Sequence, residues 1–157
     1  MNKTKAALVF LGLTVIGLLI NFFFFSNRAS DTELIQQALK DSIQASKEGR
    51  AGGVLDLLST EFEVNQMRFT NIREISRVIR DMKPKVEIAN WEPVVRGDSA
   101  TLITPVTLSL LTVSRTIPEV RMEFQKEDTM NWLVIPTKKW KLRRVRVSEE
   151  VLRSLEP

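Results

Sequence analysis

The hydrophobic pattern changes character three times along the chain. An apolar run over residues 6–25, in which only Thr14 and Asn21 add polarity, begins at Ala6 and closes with Phe22-Phe23-Phe24-Phe25. A helix of that length, at about 1.5 Å per residue, spans about 30 Å, the thickness of a bilayer core. Helical spacing follows. Ser30-Asp31-Thr32-Glu33 has the form of a capping box, and Leu34, Ile35, Ala38, Leu39, Ser42 and Ile43 then predict a long amphipathic helix to about Lys47. Gly49, Gly52 and Gly53 are expected to break it before a short second helix over Val54-Leu55-Asp56-Leu57-Leu58. Residues 61–69 suit a short strand or hairpin. Asn71-Ile72-Arg73-Glu74 is a second capping box, and Ile72, Ile75, Val78, Ile79 and Met82 form an apolar stripe that Pro84 ends.

From Lys85 onward the period shortens. Runs over 85–96, 100–114, 116–126 and 138–147, rich in Val, Ile, Thr, Leu and Trp, predict strands, with a turn at Gly97-Asp98. Val120, Met122 and Phe124 alternate with Arg121, Glu123 and Gln125, as in a half-solvated antiparallel strand. The second run is apolar on both faces, with Leu102, Val106, Leu108 and Leu110 on one and Ile103, Leu111 and Val113 on the other. That places it centrally or under a partner. In the last run, strict alternation would set Trp140 and Leu142 opposite Val145 and Val147, so a bulge is expected near Arg143-Arg144. Residues 130–135 suit a strand or an apolar loop, with Trp132-Leu133-Val134-Ile135-Pro136 read as a buried strand ahead of an exposed docking surface. Residues 148–155 suit a terminal helix.

Charge and composition then narrow the setting. A cleavable signal would have an apolar region of about 7–15 residues and small residues at the cut. Cutting after Ala29 instead puts Asn27 at the third position before the cut, so an uncleaved anchor over residues 1–28 and a domain over 29–157 are expected. The chain has no Cys, which excludes a lipoprotein anchor. Lys3 and Lys5 precede the run and only Arg28 lies close after it, so the domain is expected outside the cytoplasm. The Asn2-Lys3-Thr4 sequon falls on the cytoplasmic side, which favours a bacterial envelope protein. Setting aside Lys3 and Lys5 of the 23 basic residues leaves 21 against 19 acidic ones, too mild an excess to imply nucleic-acid binding.

The order of long helix, short helix, strand, capped helix and antiparallel strands resembles the nuclear-transport-factor-two-like superfamily. The phrases that carry it are residues 47–62 (Lys47-Glu48-Gly49-Arg50 through Glu61-Phe62), the helix from Asn71 to Met82, and Trp140-Lys141-Leu142. The resemblance implies an α+β cone, about three helices on a curved antiparallel sheet, in a superfamily that hosts ketosteroid isomerases, polyketide cyclases, transport factors and envelope assembly proteins. The layout also resembles inner-membrane assembly components of type IV secretion, although this domain is shorter.

In the isomerase-like members an acidic base lies on the strand after the second helix, where this chain offers Glu61 and Glu63. The oxyanion-hole Tyr of those members has no counterpart, since Tyr and His are both zero. Asp56 and Asp98 are the remaining acids near a cavity, read as a helix-face and a turn residue. No ligand spacing for a metal and no cofactor motif is present. The densest charge is Lys138, Lys139, Lys141, Arg143, Arg144 and Arg146 around Trp140 and Leu142. It is read as a solvated outer face, a contact for anionic membrane or envelope polymer, or a surface for an acidic protein partner. The expectation is a non-catalytic, membrane-anchored binding or assembly module, with a homodimer or an envelope protein as partner. The rival is a small-molecule carrier or isomerase-like enzyme with Glu61 or Glu63 as base.

Overall fold

The computed structural model describes residues 29–68, 71–130 and 136–148. The apolar run 6–25, the segment 131–135 and the terminal helix expected over 148–155, all but its first residue, lie outside them. No helix among the described residues is long and apolar enough to cross a membrane.

Helix α1 (Asp31–Glu48) buries Ile35, Leu39, Ser42, Ala45 and Ser46, a stripe at helical spacing. Gly49 closes it. The Gly49 N–H bonds to the Ser46 carbonyl (3.0 Å) and the Arg50 N–H to the Ala45 carbonyl (2.8 Å). This paired closure puts Gly49 at φ 74, where a side chain would be strained. Helix α2 (Ala51–Leu57) contains Gly52 and Gly53, which were expected to lie ahead of it. Gly53 sits where a Cβ would come within 2.6 Å of Ala45 Cβ, so it lets α2 cross close to α1. Strand β1 (Leu58–Val64) and β2 (Met67–Arg68) form a hairpin through Asn65 and Gln66, both at positive φ, the geometry of tight hairpin loops. Helix α3 (Ile72–Met82) starts as its sequence signals: Asn71 Oδ1 accepts from the Glu74 N–H at 3.3 Å. It ends on Lys83, left-handed at φ 45, immediately before Pro84.

The first strand run divides into β3 (Lys85–Ile88) and β4 (Val94–Arg96), which pair with the two ends of one edge of β5 (Ser99–Leu110). Long β6 (Val113–Met130) and β7 (Pro136–Val147) complete a seven-stranded sheet in the order β2-β1-β7-β6-β5-β3, with β4 beside β5. The run with two apolar faces is thus flanked on both edges. Its far end differs from expectation, because Leu111 lies in the loop and Val113 opens β6.

The sheet is mixed, where an antiparallel one was expected: β1 runs parallel to β7. Periodicity shows which face of a strand is apolar, and no hairpin joins these two strands to set their direction. Bulges on two of the antiparallel pairings curve the sheet, besides a register break between Leu58 and Glu63 where β1 meets β7. Between Thr104↔Val120 and Val106↔Ile117, Pro105 faces Pro118 and Glu119. Between Glu123↔Arg144 and Phe124↔Leu142, Arg143 is the extra residue. The second is the bulge that the position of the valines demanded. It brings Trp140, Leu142, Val145 and Val147 to one face, where they join Ile35, Leu39, Leu57, Leu102, Met122 and Phe124 in the core.

Candidate functional site

With the apolar side chains of β7 turned inward, its cations meet carboxylates. Lys138 Nζ lies 3.4 Å from Asp98, and Lys139 and Lys141 lie 3.9 and 3.4 Å from Asp56. Arg143 is bound to Glu61 at 2.8 Å. Arg144 bridges Glu63 on β1 and Glu123 on β6, the latter at 2.9 Å, and Arg146 reaches Glu123 at 3.7 Å. The hydrogen bond to Glu63 is the largest influence raising the Arg144 guanidinium above its ordinary value, against an opposing effect of burial. All six cations of the expected binding surface therefore lie beside a carboxylate, sharing the five of Asp56, Asp98, Glu61, Glu63 and Glu123. Partly solvated ion pairs of this kind add modestly to stability and offset most of the strand's positive charge.

The same geometry locates the candidate base residues. Phe62 packs against the core, so Glu61 and Glu63, one position to either side, face the opposite way. Glu61 is shared by Arg143 and, at 3.9 Å, Arg68. Asp56 is on α2 and Asp98 in the turn before β5, both exposed, as expected. Inside, the buried polar side chains among the described residues are hydroxyls: Ser42, Ser46, Ser59 and Thr104. Ser46 donates to the Pro84 carbonyl at 2.8 Å, Ser59 binds Glu127, and Thr104 accepts the Asn90 N–H at 2.8 Å. Such groups orient backbone and strands. They supply no acid or base of useful pKa. No cluster of three or more metal-ligating side chains occurs among the described residues.

Two features were missed by the sequence reading. Asp31, the first residue of α1, accepts hydrogen bonds from Trp140 Nε1 at 3.1 Å and Lys126 Nζ at 3.0 Å, and Lys126 also lies over the Trp140 ring. Lys126 first, then Trp140, hold the Asp31 carboxyl below its ordinary value. The signal was present as a charge in the first helical turn, but its partners lie about a hundred residues away. Beside this cluster an open groove of about 280 Å³ is lined by apolar Leu34, Ala38, Leu57 and Trp140 and by charged Asp41, Asp56, Lys138 and Lys139. The second feature is the β5–β6 loop, where Leu111 takes positive φ between paired Leu110 and Val113.

No protein-family model matches this sequence, and no curated protein matches it. Solved structures do. A nuclear-transport-factor-two-like protein of unknown function from Shewanella oneidensis aligns with a TM-score of 0.56 at 14% identity, over 74% of this chain and 98% of that one. A putative ketosteroid isomerase from Shewanella frigidimarina aligns with a TM-score of 0.53 at 10% identity, over 75% and 98%. An LEH-like epoxide hydrolase of M. tuberculosis aligns with a TM-score of 0.51 at 15% identity, over 80% and 90%. At these identities the likeness establishes the fold: three helices on a curved mixed sheet of nuclear-transport-factor-two-like form. That fold carries several chemistries and binding roles, so function must be argued from this chain's own residues.

Proposed function

We propose that the chain is a single-pass membrane-anchored, non-catalytic binding or assembly module of the cell envelope. The observation that carries this reading is the placement of acids. Glu61 and Glu63 stand on the outer face against Arg143 and Arg144, and the buried polar side chains described are hydroxyls. A cone that performed proton abstraction, as an isomerase would, needs a carboxylate aimed inward beside an electrophilic donor. The absence of His, Tyr and Cys from the sequence removes the usual substitutes. The apolar run 6–25 supplies the tether, and Lys3 and Lys5 ahead of it set the domain on the outer side. The groove beside Trp140 is what favours a carrier as the second reading.

Three assays test this reading, two of its anchor and one of its chemistry. Alkaline extraction should leave the full chain in the membrane fraction, and a carboxyl-terminal reporter that works only outside the cytoplasm should be active. Reporter activity confined to the cytoplasm would reverse the orientation. Glu61→Gln with Glu63→Gln should leave the biological phenotype intact, and its loss with the fold unchanged would restore the enzyme reading.

A further inference from the structure

Leu111 is at odds with its surroundings in two independent ways. It is the first residue of the two-residue loop between paired Leu110 and Val113, a position that needs positive φ and favours Gly, Asn or Asp. Leu111 takes φ 51 despite its Cβ. Its side chain is also 85% exposed, and neighbouring Val113 is 57% exposed. Neither the turn nor the core calls for a leucine here, and a backbone outlier at an exposed apolar residue points to a task outside the fold.

The stretch that ends α3 and opens β3 beside β5 is cationic on balance, with Arg80, Lys83 and Lys85 against Asp81. Lys85 pairs with Ser109, two residues before Leu111. Lys83, at the end of α3, lays its stem beside Gly49 at the end of α1, with Arg80 one turn earlier and Met82 43% exposed. Arg80, Lys83 and Lys85 form no ion pair among the described residues, in contrast to the paired cations of β7. Asp31 at the start of α1 meets Lys126 and Trp140, whereas Ser46 near its end meets Pro84. The hairpin tip therefore lies at the opposite end of the domain from the point where the chain enters α1.

We propose that this tip is a docking knob for a protein partner whose apolar socket is rimmed by Asp and Glu. The proposal rests on the binding-module reading and names the face that binds. Unmatched cations around a small apolar projection suit an acidic rim, which would steer approach while the socket takes Leu111. One leucine and one valine, without an aromatic, bury too little area for a bilayer contact. A second copy fits poorly, because the groove beside Trp140 sets Lys138 and Lys139 against Asp41 and Asp56 and so presents no net acidic field to the cations around the tip.

The test places a photo-reactive residue at Thr112 of the full chain in its native membrane. The expected result is an adduct with a different protein through a peptide of net negative charge. Its yield should fall about tenfold or more with Leu111→Gly, and likewise with Lys83→Glu plus Lys85→Glu. An adduct with another copy of this chain, the absence of any light-dependent protein adduct, or a yield indifferent to Leu111→Gly each overturns the proposal. So does burial of a fluorophore at Thr112 in vesicles of phosphatidylethanolamine and phosphatidylglycerol, which would assign the tip to lipid. Leu111→Gly suits the turn, so its melting temperature should equal or exceed the parent's, and a fall would return the leucine to a folding role. Alkaline extraction reads the anchor alone: a chain that washes off the membrane yet makes the Thr112 adduct sinks the anchored reading and spares the knob.

Discussion

Asp31 is the residue on which the docking of α1 to the sheet converges. Lys126 and Trp140, on two adjacent strands, both donate to its carboxylate. Those contacts depress its pKa in the folded chain, so the stability it supplies is complete above the ordinary aspartate value of about 3.9 and is lost as the pH falls through the lower folded value. Asp31→Asn keeps the shape and removes the charge. It should cost about 1 kcal/mol at neutral pH, since the pair is partly solvated. The deficit should shrink towards zero in acid, where the parent loses the same interaction. Urea unfolding of the full chain in detergent at about pH 7 and about pH 3 would show this. An equal deficit at both would mean that Asp31 acts through packing.

Among the elements, α2 offers a test of opposite signs two positions into a single helix. An added methyl at Gly53 meets Ala45 Cβ at 2.6 Å, whereas one at Gly52 meets nothing within 4 Å. Gly53→Ala should destabilise by about 1–2 kcal/mol and Gly52→Ala should stabilise by about 0.5–1 kcal/mol, read as midpoints of denaturant unfolding. The sequence had offered only that glycines cluster here. Helices were legible because caps and stripes are local: Asn71 and Glu74 are three residues apart, and Ile35, Leu39 and Ser42 share one face. The bulge at Arg143 was legible because only an extra residue brings Leu142 and Val145 to one face. The parallel β1 and the exclusion of Glu61 and Glu63 from the interior depend on partners roughly eighty residues away. The hairpin loop was hidden because Leu111 imitates a strand residue. A mirror pattern does mark it, with Thr107 and Ser109 facing Thr116 and Ser114 in hydroxyl pairs at 2.9 and 2.8 Å.

At the scale of the whole domain, β7 ties early and late parts of the chain together. It lies between β1 and β6, so among the described strands it alone joins the β1–β2 hairpin to the others, and it carries Trp140 to Asp31. A chain stopped after Thr129 keeps α1, α2 and α3 in its sequence but loses that strand. It should show no cooperative melting transition and should be cut rapidly by protease, whereas resistance would mean that the helices and β3–β6 form a stable unit without β7. The parallel pairing of β1 with β7 also imposes an order in time. During synthesis or export, the open edge of β1 emerges first and waits through about eighty further residues for the strand that pairs with it. A chaperone that shields nascent chains would meet this protein at the β1 edge, and would be released by the arrival of β7.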